Sequence, residues 1–295
     1  MLLAASGCAT FTNADVAAQV GDSDITTDDF GALAEEYFAN PDVFGTAAPL
    51  DGRVSGEQSR LLLGAMARQE IVNQFLAQQG IDASGIQQAF KDSALAATPI
   101  EGMSDAMQDL IASIDDAPRS EAVTLAETPT IDQLRALYAD NPTKTGLVCV
   151  RHILVDTEAE AQSVLDELRN GADFASLAIE RSIDPTAADL GGAISNVDNQ
   201  CIPLQTVLAS FDPAFVAGAL AAREGVPSEP VESSFGWHII LHRPWDEVAE
   251  SVGQIHQPGD SGAFLFDGFA ATVEVNVDAR FGTWNPISGA IAPVG

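Results

Sequence analysis

Two of the chain's four histidines stand inside apolar runs: His152 in CVRHILV (149–155) and His238 in FGWHIIL (235–241). Runs of β-branched and aliphatic residues of this length read as buried strands. A lone imidazole on such a strand is ordinarily a satisfied core residue, bonded to one nearby polar group. With only four histidines in the chain, two of them in such runs raise the question of whether they meet at a site. Metal binding by the closest pair does not fit the spacing. His238 and His242 share a strand face but lie about 13 Å apart at about 3.3 Å per residue, too far to chelate one ion, so no metal is expected. Cys8, Cys149 and Cys201 complete the reactive side chains.

The elements that must carry these residues follow from periodicity and turn chemistry. VAAQV (16–20) reads as a short strand turned by Gly21-Asp22, and Thr26 or Thr27 caps a helix with Asp28 and Asp29 in its first turn. Residues 40–58, with Pro41, Gly45, Pro49, Gly52 and Gly56, read as loop. A long helix is expected from Glu57 to Gln79, with Leu61, Ala65, Val72, Phe75 and Leu76 as its apolar stripe and Gly80 as its stop. IDASGIQQAF suggests a short helix capped by Asp82 or Ser84, and 103–114 suggests another. DDAPRSEAVTLAETPT (115–130) reads as a hinge or loop, and a helix over 130–139 leads through Asn141-Pro142 into CVRHILV. The main domain boundary is placed near 145.

Beyond that point the pattern sharpens. Asp156 is expected to cap helix 157–170, whose Ala161, Val164, Leu165 and Leu168 lie on one face, and Asp173 to cap a helix carrying Phe174, Leu177 and Ala178. RSIDPTAADLGGAIS reads as a loop into a second strand, LQTVLASFDPAFVAGAL as partly helical, and EGVPSEPVESS as an extended connection into FGWHIILHR. The order β-α-α-β-α-β makes a small α+β domain with antiparallel pairing.

Composition narrows the function class. A hydrophobic content of 46% supports real cores, and 19% charged residues is too few for general disorder. With 13 Lys+Arg against 43 Asp+Glu, formally −30, the surface repels phosphate backbones, so nucleic acid is not an expected partner. Such acidity favours solubility and steers basic partners without naming a function. No stretch approaches about 18 uninterrupted apolar residues, so no membrane span is expected. The start, MLLAASGCAT, resembles a bacterial lipobox with Cys8 as the lipidated residue. It departs from that pattern in having Ala5 where Leu is usual and no Lys or Arg before Cys8; the other reading is a chance cysteine in a loose end. If Cys8 carries lipid, Cys149 and Cys201 remain as an even pair, which in an exported protein suggests a disulfide; two buried free thiols are the alternative.

Six landmarks then fall in one register: R-H-I-L-V at 151–155, G-A-D-F-A-x-L-A at 171–178, S-x-D at 182–184, G-G at 191–192, G-V-P-S-E-P-V at 225–231 and F-G-W-H-I-I at 235–240. In that order they resemble the parvulin-type peptidyl-prolyl cis/trans isomerases over residues 146–245. The flanks resemble the SurA/PrsA class of exported foldases. The resemblance implies a four-stranded antiparallel sheet with surrounding helices, plus a mainly helical chaperone domain completed by the C-terminal segment. It implies four stretches: a lipoprotein signal remnant at 1–8, the chaperone domain at 9–145, the isomerase domain at 146–245 and a returning segment at 246–295. Within the last, ATVEVNVDARFGTW (271–284) would return to the strand opened by VAAQVGDSDIT.

The same resemblance implies a site. The first and last strands of the domain lie side by side, which makes His152 and His238 neighbours, and Asp184 occupies the position where the family carries Asp or Cys within reach of them. Ile194, Phe211, Phe215 and Phe235 are expected to form the proline pocket; counting from Gly225 favours Phe215 and counting from Cys201 favours Phe211. One departure is plain: the family's G-G-D-L-G is here Gly191-Gly192-Ala193-Ile194-Ser195.

Rotation about an X–Pro bond faces a barrier of roughly 18–20 kcal/mol and takes roughly tens to hundreds of seconds unaided. No bond is made or broken to another group, so neither nucleophile nor cofactor is called for. The twisted amide is less dipolar than the planar one, and an apolar pocket over a hydrogen-bonded His–His–Asp floor favours it. The implied partners are unfolded or partly folded exported polypeptides containing X–Pro bonds and, through the lipid anchor, a bilayer on the outer face of the cytoplasmic membrane. The alternative is a weak or inactive parvulin-fold chaperone that only binds unfolded chains. GDSGA (259–263) with His256 nearby resembles the nucleophile loop of chymotrypsin-like proteases, but the chain lacks the upstream histidine context a triad needs.

Overall fold

The computed structural model describes residues 15–44, 55–82, 84–86, 88, 91–92, 102–114, 117–194 and 201–294. Cys8 and part of the IDASGIQQAF helix lie outside them. Two compact units form: Met1–Ala126 with Val273–Gly295, and Glu127–Thr272. In chain order the described strands are β1 Val16–Val20, β2 Ser23–Thr26, β3 Leu147–Val148, β4 Val150–Val155, β5 Ile202–Pro203, β6 Val231–Ser233, β7 Gly236–His242, β8 Val275–Val277, β9 Thr283–Asn285 and β10 Ala290–Ala292.

The first unit is built on a sheet of order β2-β1-β8, antiparallel throughout. Val16, Ala17, Ala18 and Val20 of β1 are buried, and the helix Gly56–Gln78 packs on this strand. The C-terminal β8 pairs Val277 with Ala18 and Val275 with Val20, so this unit closes with residues far apart in sequence. Thr26 caps helix Thr27–Ala39, its hydroxyl accepting from Asp29 N while the Asp29 carboxylate receives Thr26 N, a reciprocal pair that satisfies two orphan donors.

Three expectations change here. The buried face of Gly56–Gln78 runs through Leu62, Leu63, Met66, Ile71, Phe75 and Leu76, while Leu61 is 59% exposed. The Leu61-Leu62-Leu63 run offers more than one helical face, and packing on β1 selects the one that includes Met66 and Ile71. Residues 115–130 are not all loop: Ala117–Leu125 is helical, with Pro118 in the first turn, where a missing N–H leaves no bond unmade. Pro41–Phe44 is a short helical turn within the expected loop.

The second unit places its site on a sheet of order β4-β7-β6. β4 and β7 run antiparallel in full register, from Val150↔His242 to Val155↔Trp237. On the free edge of β4, His152 N donates to Gly192 O, Ile194 N to Val150 O, and Arg151 bridges Ala193, so 192–194 act as a short fourth strand. Strand alternation sorts the two faces. Ile153, Val155, Ile239 and Leu241 turn to the helices Glu158–Arg169 and Phe174–Arg181, where they join Val164, Leu165 and Phe174 in one core. Burying each such side chain is worth about 1.5–3 kcal/mol. His152, Leu154, His238, Ile240 and His242 turn to the other face, covered by the helix Pro213–Ala221.

The cap of Glu158–Arg169 is Thr157, paired with Glu160, rather than Asp156. The unit boundaries also differ from 145 and 245. Helix Ile131–Asp140 buries Leu134 and Tyr138 against Trp245, Val248 and Val252 of helix Trp245–Ile255, so both helices belong to the second unit. Helix Ser261–Thr272 joins them, its Gly268 lying so close to the backbone of 143–146 that a Cβ would meet three backbone atoms at 2.5–2.6 Å. Cys149 and Cys201 form a disulfide in the same core, closing a loop with a separation of 52 residues.

Candidate active site

Register brings the imidazoles together. His152 lies opposite Ile240 and His238 opposite Leu154, so the two rings are diagonal neighbours on one face of β4 and β7. Their Nδ1 atoms are 3.2 Å apart and their planes incline by 18°. Asp184 is delivered by the edge of β4: Leu154 N donates to Ser182 Oγ, Ile183 N donates to Leu154 O, and the next residue reaches His152. Asp184 Oδ2 lies 2.9 Å from His152 Nε2, and Oδ1 accepts from Thr186 N and Oγ1.

A fourth member extends the chain at its other end. The tight turn between β6 and β7 pairs Ser233 with Gly236 and puts Ser233 Oγ 2.7 Å from His238 Nε2. That hydroxyl also accepts from Phe235 N at 3.1 Å. The proton positions follow from the acceptor-only end. A carboxylate at Asp184 requires His152 Nε2 to donate. Neutral His152 then accepts at Nδ1, His238 donates from Nδ1 and accepts at Nε2, and Ser233 Oγ donates to it. Every link has one proton with both rings neutral. A second added proton would set donor against donor between the two Nδ1 atoms.

The electrostatics agree with neutral rings. Burial lowers the pKa of His152, against the raising effect of the Asp184 charge. Burial and then repulsion from His152 lower His238 to about 4. The two residues are only 5% and 4% exposed, yet they face a cleft rather than solid core.

That cleft has a volume of about 610 Å³, and its floor is His152, His238 and Asp184. All four expected pocket residues line it: Ile194, Phe211, Phe215 and Phe235. Phe215 sits edge-on over both imidazoles, with ring centres 5.6 Å from His152 and 5.1 Å from His238, and Phe211 stacks on Phe215 at 5.6 Å. Counting from Gly225 and counting from Cys201 thus each point to a lining residue. Phe235 is 69% exposed at the mouth. The Gly191-Gly192 pair forms the wall beside β4. Both have positive φ (60° and 83°), and a Cβ on Gly192 would stand 2.6 Å from His152 O.

Ser233, Leu154, Ile183, Leu190 and Asp212 were not singled out from sequence. Alternation marks Leu154, two residues from His152 on the same face. Asp212 carries the signal of a cap ahead of Pro213, its carboxylate accepting from Ala214 N. Ser233 had no signal apart from its place in the turn. The remaining histidines stay out of the site: His242 Nε2 donates to Ala219 O and His256 Nε2 to Thr145 O. Ser261 Oγ donates to Gln257 O, so no nucleophile–base pair forms around GDSGA.

Residues 152–243, which carry both imidazoles, match the rotamase family model described as a PPIC-type PPIase domain. The chain is 44% identical over 108 residues to the foldase protein PrsA of Clostridium kluyveri, covering 36% of this chain and 28% of that protein. It is 31% identical over 128 residues to the foldase protein PrsA of Caldanaerobacter subterraneus, covering 42% and 39%. A solution structure of NmPin, the parvulin of Nitrosopumilus maritimus, aligns at 31% identity and a TM-score of 0.28 over 33% of this chain and 96% of that one. The matched stretches therefore span well under two thirds of the curated relatives' own lengths.

Proposed function

We propose that the chain is a peptidyl-prolyl cis/trans isomerase whose second unit turns X–Pro bonds of exported, partly folded polypeptides, while the first unit acts as a chaperone module. The observation that carries the reading is the Asp184–His152–His238–Ser233 chain under an apolar cup of Phe211, Phe215 and Ile194. Phe215 and Phe211 receive the pyrrolidine ring, and the apolar wall favours the twisted, less dipolar amide over the planar one. The imidazole pair acts without covalent chemistry. It holds the floor in one geometry and offers a field that needs no reorganisation as the amide loses conjugation.

The relatives named PrsA are foldases by name, and this supports an exported setting for the present chain. Lipid anchoring through Cys8 to the outer face of the cytoplasmic membrane belongs to the same proposal. Among the described residues no helix is long and apolar enough to cross a membrane. A protease-coupled assay on an Ala-Pro peptide tests the central claim, with turnover above background expected. No acceleration, together with retained suppression of client aggregation, would instead favour a binding module with a silent isomerase fold.

A further inference from the structure

We propose that the cleft selects its prolyl segments by charge, favouring Lys or Arg beside the proline and disfavouring acidic neighbours, with Asp212 as the specificity-determining residue. This rests on the isomerase reading above and names the substrate class for the same site.

Among the described lining residues of the cleft, the charged side chains are two carboxylates, Asp184 and Asp212, and none is Lys or Arg. They occupy different ends of the floor. Asp184 lies at the His152 end. Asp212 lies at the His238 end, where its Oδ2 accepts from Ser234 N and Oγ at 3.2 and 2.7 Å and its Oδ1 from Ala214 N at 2.9 Å. Those bonds, led by the Ser234 hydroxyl, hold the Asp212 carboxyl below the usual carboxylate range, so it stays charged at neutral pH. Arg151 stands behind the Gly191 wall and gives its guanidinium to Leu190 O, Gly191 O and Glu247, not to the cleft. A peptide whose proline sits on Phe215 must carry its neighbours past one or both carboxylates.

The rim suits a basic side chain in a second, independent way. Ile183, Leu190 and Phe235 line the cleft yet remain 47%, 45% and 69% exposed. Lys and Arg lay a long apolar stem on such a surface while their charged head stays wet, and a cation gains further over an exposed ring such as Phe235. An acidic neighbour has a short stem and meets like charge at either end. The formal charge of −30 adds long-range attraction for basic segments.

The test compares Ala-Xaa-Pro-Phe peptides with Xaa as Lys, Leu or Glu, using the full chain. An exposed charge contact supports a kcat/KM ratio of Lys to Glu of about three- to tenfold at low salt, shrinking toward one in about 1 M NaCl. Asp212→Asn keeps a side-chain oxygen for the cap and should reduce that ratio, a change that loss of packing alone would not produce. Glu-Pro turned over as fast as Lys-Pro overturns the proposal, as does a ratio that neither salt nor Asp212→Asn alters. The same peptides are titrated against isotope-labelled protein and read at the His152 and His238 resonances. Absent turnover with Lys-selective binding sinks the isomerase reading and keeps the charge selection; binding without preference sinks the selection alone.

Discussion

His238 and His242 are four residues apart on one face of β7, under one helix, and they do different things. At the cleft end, Phe215 of helix Pro213–Ala221 leans on His238 and His152, and both rings are tied into a polar chain that opens to solvent. One turn further along the same helix, Ala219 O takes the Nε2–H of His242. There the ring is 0% exposed, meets Tyr138 edge-on at 6.3 Å, and leaves Nδ1 without a hydrogen-bond partner. Between them Gly218 lets the helix approach Ile240, where a Cβ would meet the Ile240 side chain at 2.9 Å. The residue type is the same; the covering decides whether an imidazole becomes a site or a core bond. The locked end is also where the disulfide, Tyr138 and Trp245 gather. The cleft end is thus joined through β7 to the end that the disulfide closes.

The contrast breaks most severely if the locked end is loosened. Replacing Cys149 and Cys201 by Ser frees a loop with a separation of 52 residues, which on a loop-entropy estimate costs about 4 kcal/mol. Urea unfolding should show the second unit's midpoint falling accordingly. An unchanged midpoint would mean that packing around Leu147 and Trp245 alone holds this end.

Acid tests the locked end next. Burial lowers the His242 pKa from 6.5 to about 4, so folding favours the neutral ring. The contribution is whole above pH 6.5 and is lost as the pH falls to about 4, because the unfolded chain takes up the proton first. Over that window His242 alone accounts for roughly 3 kcal/mol. Stability of the wild type and of His242→Gln, measured from pH 7 to 4.5, should diverge in slope by about that amount. Parallel curves would show that the ring is not held neutral.

Asp184→Asn probes the cleft end. The amide keeps an oxygen for Thr186 but presents N–H donors to His152, so the chain must reverse. His152 then donates from Nδ1, His238 accepts at Nδ1 and donates from Nε2 to Ser233. Nitrogen chemical shifts should report both tautomers exchanged, and kcat/KM should drop about tenfold. Unaltered tautomers would refute the proton order derived from the carboxylate.

Much of this arrangement was legible from local chemistry. The apolar runs VRHILV and GWHIIL as strands and the caps at Thr26 and Asp173 follow from rules that act over a few residues, whereas the meeting of His152, His238 and Asp184 was expected only from a family resemblance. Misses came where the deciding partner is remote or the rule is degenerate. Three consecutive leucines at 61–63 do not name a face until β1 is in place. Helix Ile131–Asp140 reads as part of whatever precedes it, because the Tyr138 hydroxyl finds Arg243 O 105 residues later. Asp156 and Thr157 are both good caps, and only Glu160 three residues after Thr157 closes the reciprocal pair. Asp184 looks like a turn residue ahead of Pro185 and is one, accepting from Thr186, while its other oxygen serves His152.

Ser233 is the smallest and most discriminating case. Its hydroxyl links His238 Nε2 to Phe235 N, so one atom joins the imidazole pair to the turn that carries the exposed Phe235. Ser233→Ala leaves both groups without that bond at a half-buried position, a loss of roughly 1 kcal/mol. If the hydroxyl only props the turn, KM should rise with kcat nearly unchanged, because Phe235 loses its fixed place at the cleft mouth. If it also holds the His238 tautomer, kcat falls as well, by about threefold, and Ser233→Thr restores both by returning the hydroxyl. A Thr variant that remains as impaired as Ala would assign the effect to turn shape, and the polar chain would then end at His238.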